Sequence, residues 1–125
     1  RQKVVVFVST CDAAEFYFSL FKAASWPDDA DERAQESGGS STEASMFGKS
    51  FPIFRLHGNV AQSERTSTYK KFSQCSAGVL FCTDVAARGL DLPNIDWIVQ
   101  YDPPLEISDY VHRVGRTARK GKKGS

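Results

Sequence analysis

The sequence predicts an α/β fold, a parallel sheet flanked by helices, and three observations lead there. Short β-branched and aromatic runs recur along the chain: Val4-Val5-Val6-Phe7-Val8, residues 51–56, Gly78-Val79-Leu80-Phe81-Cys82 and residues 95–101. The first and third lack polar alternation, which fits strands buried on both faces, as in parallel sheets. Segments of helical composition separate the runs, giving the strand–helix alternation of an α/β domain. A chain of 125 residues suffices for one domain with one core.

Taken in order, Ser9-Thr10 closes the first strand. Asp12 is placed to cap a helix over residues 13–24, whose apolar stripe is Phe16, Leu20 and Ala23/Ala24. Trp26-Pro27 ends it, since proline cannot continue a helix. From Pro27 to Ser50 there are six acids (Asp28, Asp29, Asp31, Glu32, Glu36, Glu43), two bases (Arg33, Lys49) and a Ser/Gly-rich core, Ser37 to Thr42. That composition buries too little to fold, so residues 27–50 read as a surface insertion. The second strand leads into His57-Gly58 and a helix over residues 62–72. Gly58 lets a backbone approach closely, and the helix start offers free N–H groups to a phosphate. Arg65 lies early in that helix, against the dipole preference, which an anionic ligand would offset.

The third strand, Gly78 to Cys82, delivers Thr83-Asp84 to its carboxyl end, where open α/β sheets bind ligands. Leu92-Pro93-Asn94 turns the chain into the last strand, which ends at Asp102-Pro103-Pro104. A helix follows over residues 107–114, starting near Glu106 or Ser108, with Tyr110 and Val114 as its core contacts.

Charge is distributed unevenly. The formal net charge is +1, but the insertion carries −4 and the remainder +5. From His112 onward there are six bases and no acid, the footprint of an anion-binding surface. Three cysteines, Cys11, Cys75 and Cys82, have no paired spacing and read as reduced intracellular thiols. No apolar run approaches membrane-spanning length, and the first residues do not form a signal peptide.

The stretch His112–Arg119, HRVGRTAR, sets Arg113, Arg116 and Arg119 at steps of three with no carboxylate among them. Residues three apart on a helix are neighbours, so the guanidiniums repel unless an anion faces them. Their planar fork suits phosphate oxygens. This string resembles motif VI of superfamily 2 helicases, in the His-Arg form of DEAD-box RNA helicases. Thr83–Asp91, TDVAARGLD, resembles motif V of the same family. VVFVST at Val5–Thr10 resembles motif IV, and LHG with Gln62-x-x-Arg65 resembles motif IVa. The motifs occur in the family's order and cover the chain apart from the insertion. No Walker A loop, Asp-Glu-Ala-Asp or Gln motif is present in the sequence. The resemblance is therefore to the second, C-terminal RecA-like domain only. It implies a domain trimmed at both ends, because the family carries a helix and strand before motif IV and a strand and helix after motif VI that this sequence lacks.

The resemblance implies roles residue by residue. Arg116 and Arg119 become arginine fingers on the γ-phosphate of ATP, and His112 couples the nucleotide site to the interdomain contacts. Gly89 lies beside the nucleotide and Asp91 accepts from its ribose hydroxyls. Ser9, Thr10, Gly58, Arg65 and Thr83 contact the RNA backbone. Arg88, Arg113 and Asp84 hold interdomain or local structure. ATP and Mg²⁺ are held mainly by a first RecA-like domain of the same parent chain. RNA is the partner, gripped through phosphates with little sequence preference. Closure around ATP and RNA bends one strand and opens the duplex locally. The fragment alone is expected to be inactive and monomeric, with no membrane partner. Trp97–Asp102 and TDVAARGLDLP look most like a nucleolar branch acting in ribosome biogenesis, which implies pre-ribosomal RNA and a nuclear, nucleolar location. The alternative is a non-catalytic RNA-binding or protein-docking module of the same fold. A DNA-directed superfamily 2 helicase is a third reading, opposed by the His-Arg and Thr-Asp openings of motifs VI and V.

Overall fold

The computed structural model describes residues 2–24, 51–88, 90–92 and 94–115. The insertion at 27–50, Gly89, Arg116 and Arg119 lie outside them. Strand β1 (Lys3–Phe7) leads to helix α1 (Cys11–Ala23), then β2 (Ile53–Leu56) and α2 (Gln62–Gln74). Strand β3 (Gly78–Cys82), the single turn α3 (Asp84–Ala87), β4 (Trp97–Gln100) and α4 (Ile107–Val114) follow. The four strands form one sheet in the order β2-β3-β1-β4, every pair parallel. This is the α/β architecture that the strand–helix alternation predicts.

Register places the functional edge. Leu56 pairs with Cys82, Cys82 with Phe7, and Phe7 with Gln100, so these four form one row across the sheet. The residues just beyond that row, at His57, Thr83, Ser9 and Asp102, emerge side by side at the carboxyl edge. Parallel sheets collect strand ends in this way, and ligands of α/β proteins bind there.

The two faces of the sheet are packed differently. Val5, Phe7, Leu56, Leu80 and Cys82 point to one face and are buried with Phe72 of α2, Ala86 and Ala87 of α3, Leu92 and Ile95. The small alanines let α3 sit close to the strands. At the far end of this face, burial lowers the pKa of Lys3, whose Nζ lies 4.8 Å from the Phe72 ring centroid and donates to the Ser73 carbonyl at 3.2 Å. The other face carries Val4, Val6, Val79, Phe81 and Val99. Helix α1 covers part of it, with Tyr17 at 6.0 Å and Phe21 at 5.2 Å from the Phe81 ring. An open apolar groove of about 920 Å³ remains beside the helix, lined by Val4, Val6, Tyr17, Phe81 and Val99.

Three local expectations are corrected. The stripe expected to pack α1, Phe16 with Leu20, faces outward, at 61% and 48% exposure. Ala14, Tyr17, Phe18 and Phe21 turn inward instead. Both sets have helical spacing, and the sheet selects the one whose Ala14 permits close approach. The cap of α1 is Thr10, not Asp12: Thr10 Oγ1 accepts from the Ala13 N–H at 3.1 Å. Asp12 occupies the first turn, where the helix dipole favours its charge. On α4, Tyr110 and Val114 are 50% and 41% exposed, so neither is a core contact. Arg113 takes the inward position.

Candidate functional site

The site grows from the carboxyl edge of the sheet. Arg113, in the last turn of α4, is 1% exposed, an unusual state for a guanidinium. Its burial is tolerated because its donors are used. Nε donates to Asp84 Oδ1 at 2.6 Å and Nη2 to Asp84 Oδ2 at 2.5 Å, a bidentate fork. Nη1 donates to the Asp102 carbonyl at 2.7 Å and to Gln100 Oε1 at 3.4 Å. The guanidinium carbon lies 5.0 Å from the centroid of the Phe7 ring. The Asp84 hydrogen bonds raise the Arg113 pKa against the opposing effect of burial. One side chain thus ties α4 to the ends of β1, β3 and β4.

Asp102 continues the connection. Its Oδ2 accepts from both the Ser9 N–H and the Ser9 hydroxyl, each at 2.7 Å. Those bonds, with the Arg113 charge, hold its carboxyl below the ordinary range. Ser9 and Thr10 therefore sit on the exposed edge with structural bonds of their own. Thr83 stands at the N-cap position of α3 without a side-chain capping bond and is buried, its N–H donating to the Leu56 carbonyl at 3.3 Å.

The turn after β2 presents Gly58, which is exposed. A Cβ placed there would meet nothing within 4 Å. Arg65, on the first turns of α2, is held by Nη1 donating to Gln62 Oε1 at 3.2 Å. On the other flank, Arg88 Nη2 donates to Asp109 Oδ1 at 3.1 Å, joining the end of α3 to the start of α4. His112 lines a small depression with Asp84, Arg88, Asp109 and Arg113. Asp91 is exposed, and its carbonyl accepts from the Tyr69 hydroxyl at 2.8 Å.

Ser9, Thr10, Gly58 and Thr83 thus stand on neighbouring strand ends. Arg88, His112, Arg113 and Asp84 gather around α4. Gly89, Arg116 and Arg119 are outside the described residues. Sequence reasoning missed Asp102 as a connecting residue, along with His57 and Glu15. His57 is 2% exposed and bonds to Glu15 across 2.7 Å. The signal for His57 was its position straight after the apolar Leu56 that ends β2. Nothing in the sequence pairs Asp102 with Ser9, 93 residues earlier.

No group of three His, Cys, Asp or Glu side chains among the described residues could hold a metal ion. The described residues therefore do not make a Mg²⁺ site. No helix among the described residues is long and apolar enough to cross a membrane.

A parallel sheet with charged and hydroxyl groups gathered at its carboxyl edge is the arrangement of an α/β ligand-binding domain. Residues 1–121 match the helicase conserved C-terminal domain, and the chain belongs to that family. Over 124 residues it is 48% identical to human "ATP-dependent DNA helicase DDX31", covering 99% of this chain and 14% of that protein. It is 42% identical over 134 residues to the Schizosaccharomyces pombe "ATP-dependent RNA helicase dbp7", covering 99% of this chain and 19% of that one. The solved domain 2 of the DEAD-box helicase Mss116p, bound to an RNA duplex, superposes with a TM-score of 0.75 at 36% identity, over 99% of this chain and 40% of that one. The chain thus spans less than a fifth of the length of these two curated relatives. It is the C-terminal domain of a DEAD-box type helicase.

Proposed function

We propose that this domain works within an ATP-dependent RNA helicase that opens duplexes locally. Arg116 and Arg119 act as arginine fingers on the γ-phosphate of ATP bound by the first domain. The observation that carries this reading is the buried Arg113–Asp84 fork. It anchors α4 to the sheet, and Arg116 and Arg119 follow α4 directly in sequence. An arginine stabilises the transferring phosphoryl group only if its backbone is already held in place, because phosphoryl transfer depends on positioning and electrostatics. Arg88 and His112, beside the fork, transmit the closed arrangement between domains. Asp91 accepts from the ATP ribose. Mg²⁺ is assigned to the first domain.

The RNA contacts are assigned to Ser9, Thr10, Gly58, Arg65 and Thr83. Gly58 supports this assignment: it is exposed at the carboxyl edge with open space in front of it, so a phosphate backbone can approach its main chain closely. Pre-ribosomal RNA as substrate and a nucleolar location follow from the wording of Trp97–Asp102 and TDVAARGLDLP. The proposed state is a monomer. A DNA-directed activity is the second reading, favoured by the name of the 48%-identical relative.

The test is ATP hydrolysis by the full-length parent, wild type against Arg116→Ala, stimulated by RNA or by DNA. RNA stimulation, lost by a factor of about 10³–10⁵ in the variant with RNA binding retained, is the expected result. Equal or greater stimulation by DNA establishes the second reading. An unchanged rate in the variant removes Arg116 from the phosphate. A wild type without activity makes the domain a non-catalytic module.

A further inference from the structure

We infer that His57 is a positioning residue, holding the turn at residues 57–60 so that Gly58 and the start of α2 meet RNA in a fixed geometry. The inference rests on the reading of Gly58 and Arg65 as RNA-backbone contacts. Its own support is the bonding of a buried ring. His57 Nδ1 accepts from the Asn59 N–H at 3.3 Å. The proton therefore resides on Nε2, which donates to Glu15 Oε1 on α1 at 2.7 Å. The His57 carbonyl accepts from the Val60 N–H at 3.2 Å. One residue thus fixes the backbone on both sides of Gly58 and anchors it to a helix.

Glu15 is held in turn. It forms an ion pair with Arg55 on β2. Arg55 also reaches Glu64 on α2, its Nη2 3.3 Å from Oε1, and its guanidinium carbon lies 4.7 Å from the centroid of the Phe18 ring. Helix α1, strand β2 and helix α2 are therefore tied around the turn. An apolar side chain would fill the buried position of His57 without needing partners. A buried imidazole is tolerated only when both nitrogens are satisfied. What histidine adds is an acceptor aimed at the turn and a donor aimed at α1.

Two substitutions separate those functions. His57→Asn keeps an acceptor near the Asn59 N–H but cannot reach Glu15. His57→Gln reaches Glu15 with an amide N–H but leaves the Asn59 N–H without its acceptor. The experiment uses the full-length parent with a non-hydrolysable ATP analogue. It measures binding of a labelled single-stranded oligoribonucleotide by fluorescence anisotropy, alongside the melting temperature. His57→Asn is expected to bind within about twofold of wild type, and His57→Gln roughly five- to tenfold more weakly at a similar melting temperature. Wild-type affinity in both variants overturns the inference. So does a loss in both that merely tracks their melting temperatures, since that is packing alone. A wild type that binds no RNA refutes the underlying RNA reading, an outcome distinct from a wild type that binds and variants that do not differ.

Discussion

Removing the Asp84 carboxylate strands the most deeply buried charge among the described residues. In Asp84→Ala, Arg113 keeps its acceptors on Asp102 and Gln100 but loses the bidentate fork on Nε and Nη2. Breaking a buried pair from one side costs about 3–5 kcal/mol. The Asp84 side chain is 23% exposed, so water reaches one side of the fork and the lower end, about 3 kcal/mol, is expected. Changing both partners, Asp84→Ala with Arg113→Met, removes the charge together with its need for an acceptor. Methionine retains an aliphatic stem of similar length, without the guanidinium that lies over Phe7. The double variant should therefore recover about 1–2 kcal/mol relative to Asp84→Ala alone. Hydrogen exchange of the α3 and α4 amides in the full-length parent reads this locally, without assuming two-state unfolding of a multidomain chain. Strictly additive losses would refute the reasoning, because the carboxylate and guanidinium would then be stabilising the domain independently.

Two further perturbations test other parts of the edge. Gly58→Ala places a methyl group in open space, so stability should stay within about 0.5 kcal/mol of wild type while RNA affinity falls. A loss of stability in thermal melting, or unchanged RNA binding, contradicts that expectation. The Ser9 hydroxyl and N–H, then the Arg113 charge, hold the Asp102 carboxyl below its ordinary value of 3.8. An acid depressed by folding stabilises the fold fully above its unfolded pKa, and that contribution disappears as pH falls through the lower folded value. Ser9→Ala should move the Asp102 pKa upward, read by carboxylate carbon chemical shifts. An unmoved pKa would show that the hydroxyl contributes nothing to it.

The fold was legible where one pattern had only one use. Gly78–Cys82 is apolar throughout, and the structure makes it a strand buried on every residue. Helix α4 occupies the expected Ile107–Val114. Faces were less legible than elements. Helix α1 carries two apolar stripes, and periodicity cannot rank them. The choice is made by Phe81 on β3 and Tyr101 just past β4, remote in sequence, which meet Tyr17 at 6.0 and 4.9 Å. The cap of α1 was misplaced by two residues because Thr10 and Asp12 are both competent acceptors. Only the path of the chain out of β1 decides between them.

The same limit explains the site. In HRVGRTAR the three arginines look equivalent, each three residues from the next. What distinguishes Arg113 is Asp84, 29 residues earlier, delivered to the carboxyl edge by β3. The pairing is strong enough to set the rotation of α4. Asp109 shares the inward side with Arg113, four residues on, and reaches Arg88 from there. Tyr110 and Val114 then have to face outward, against their hydrophobicity. A helix placed by apolar burial alone would have turned the other way. Arg113 therefore holds α4 by a polar anchor, which fixes the helix rotation as far as Gly115.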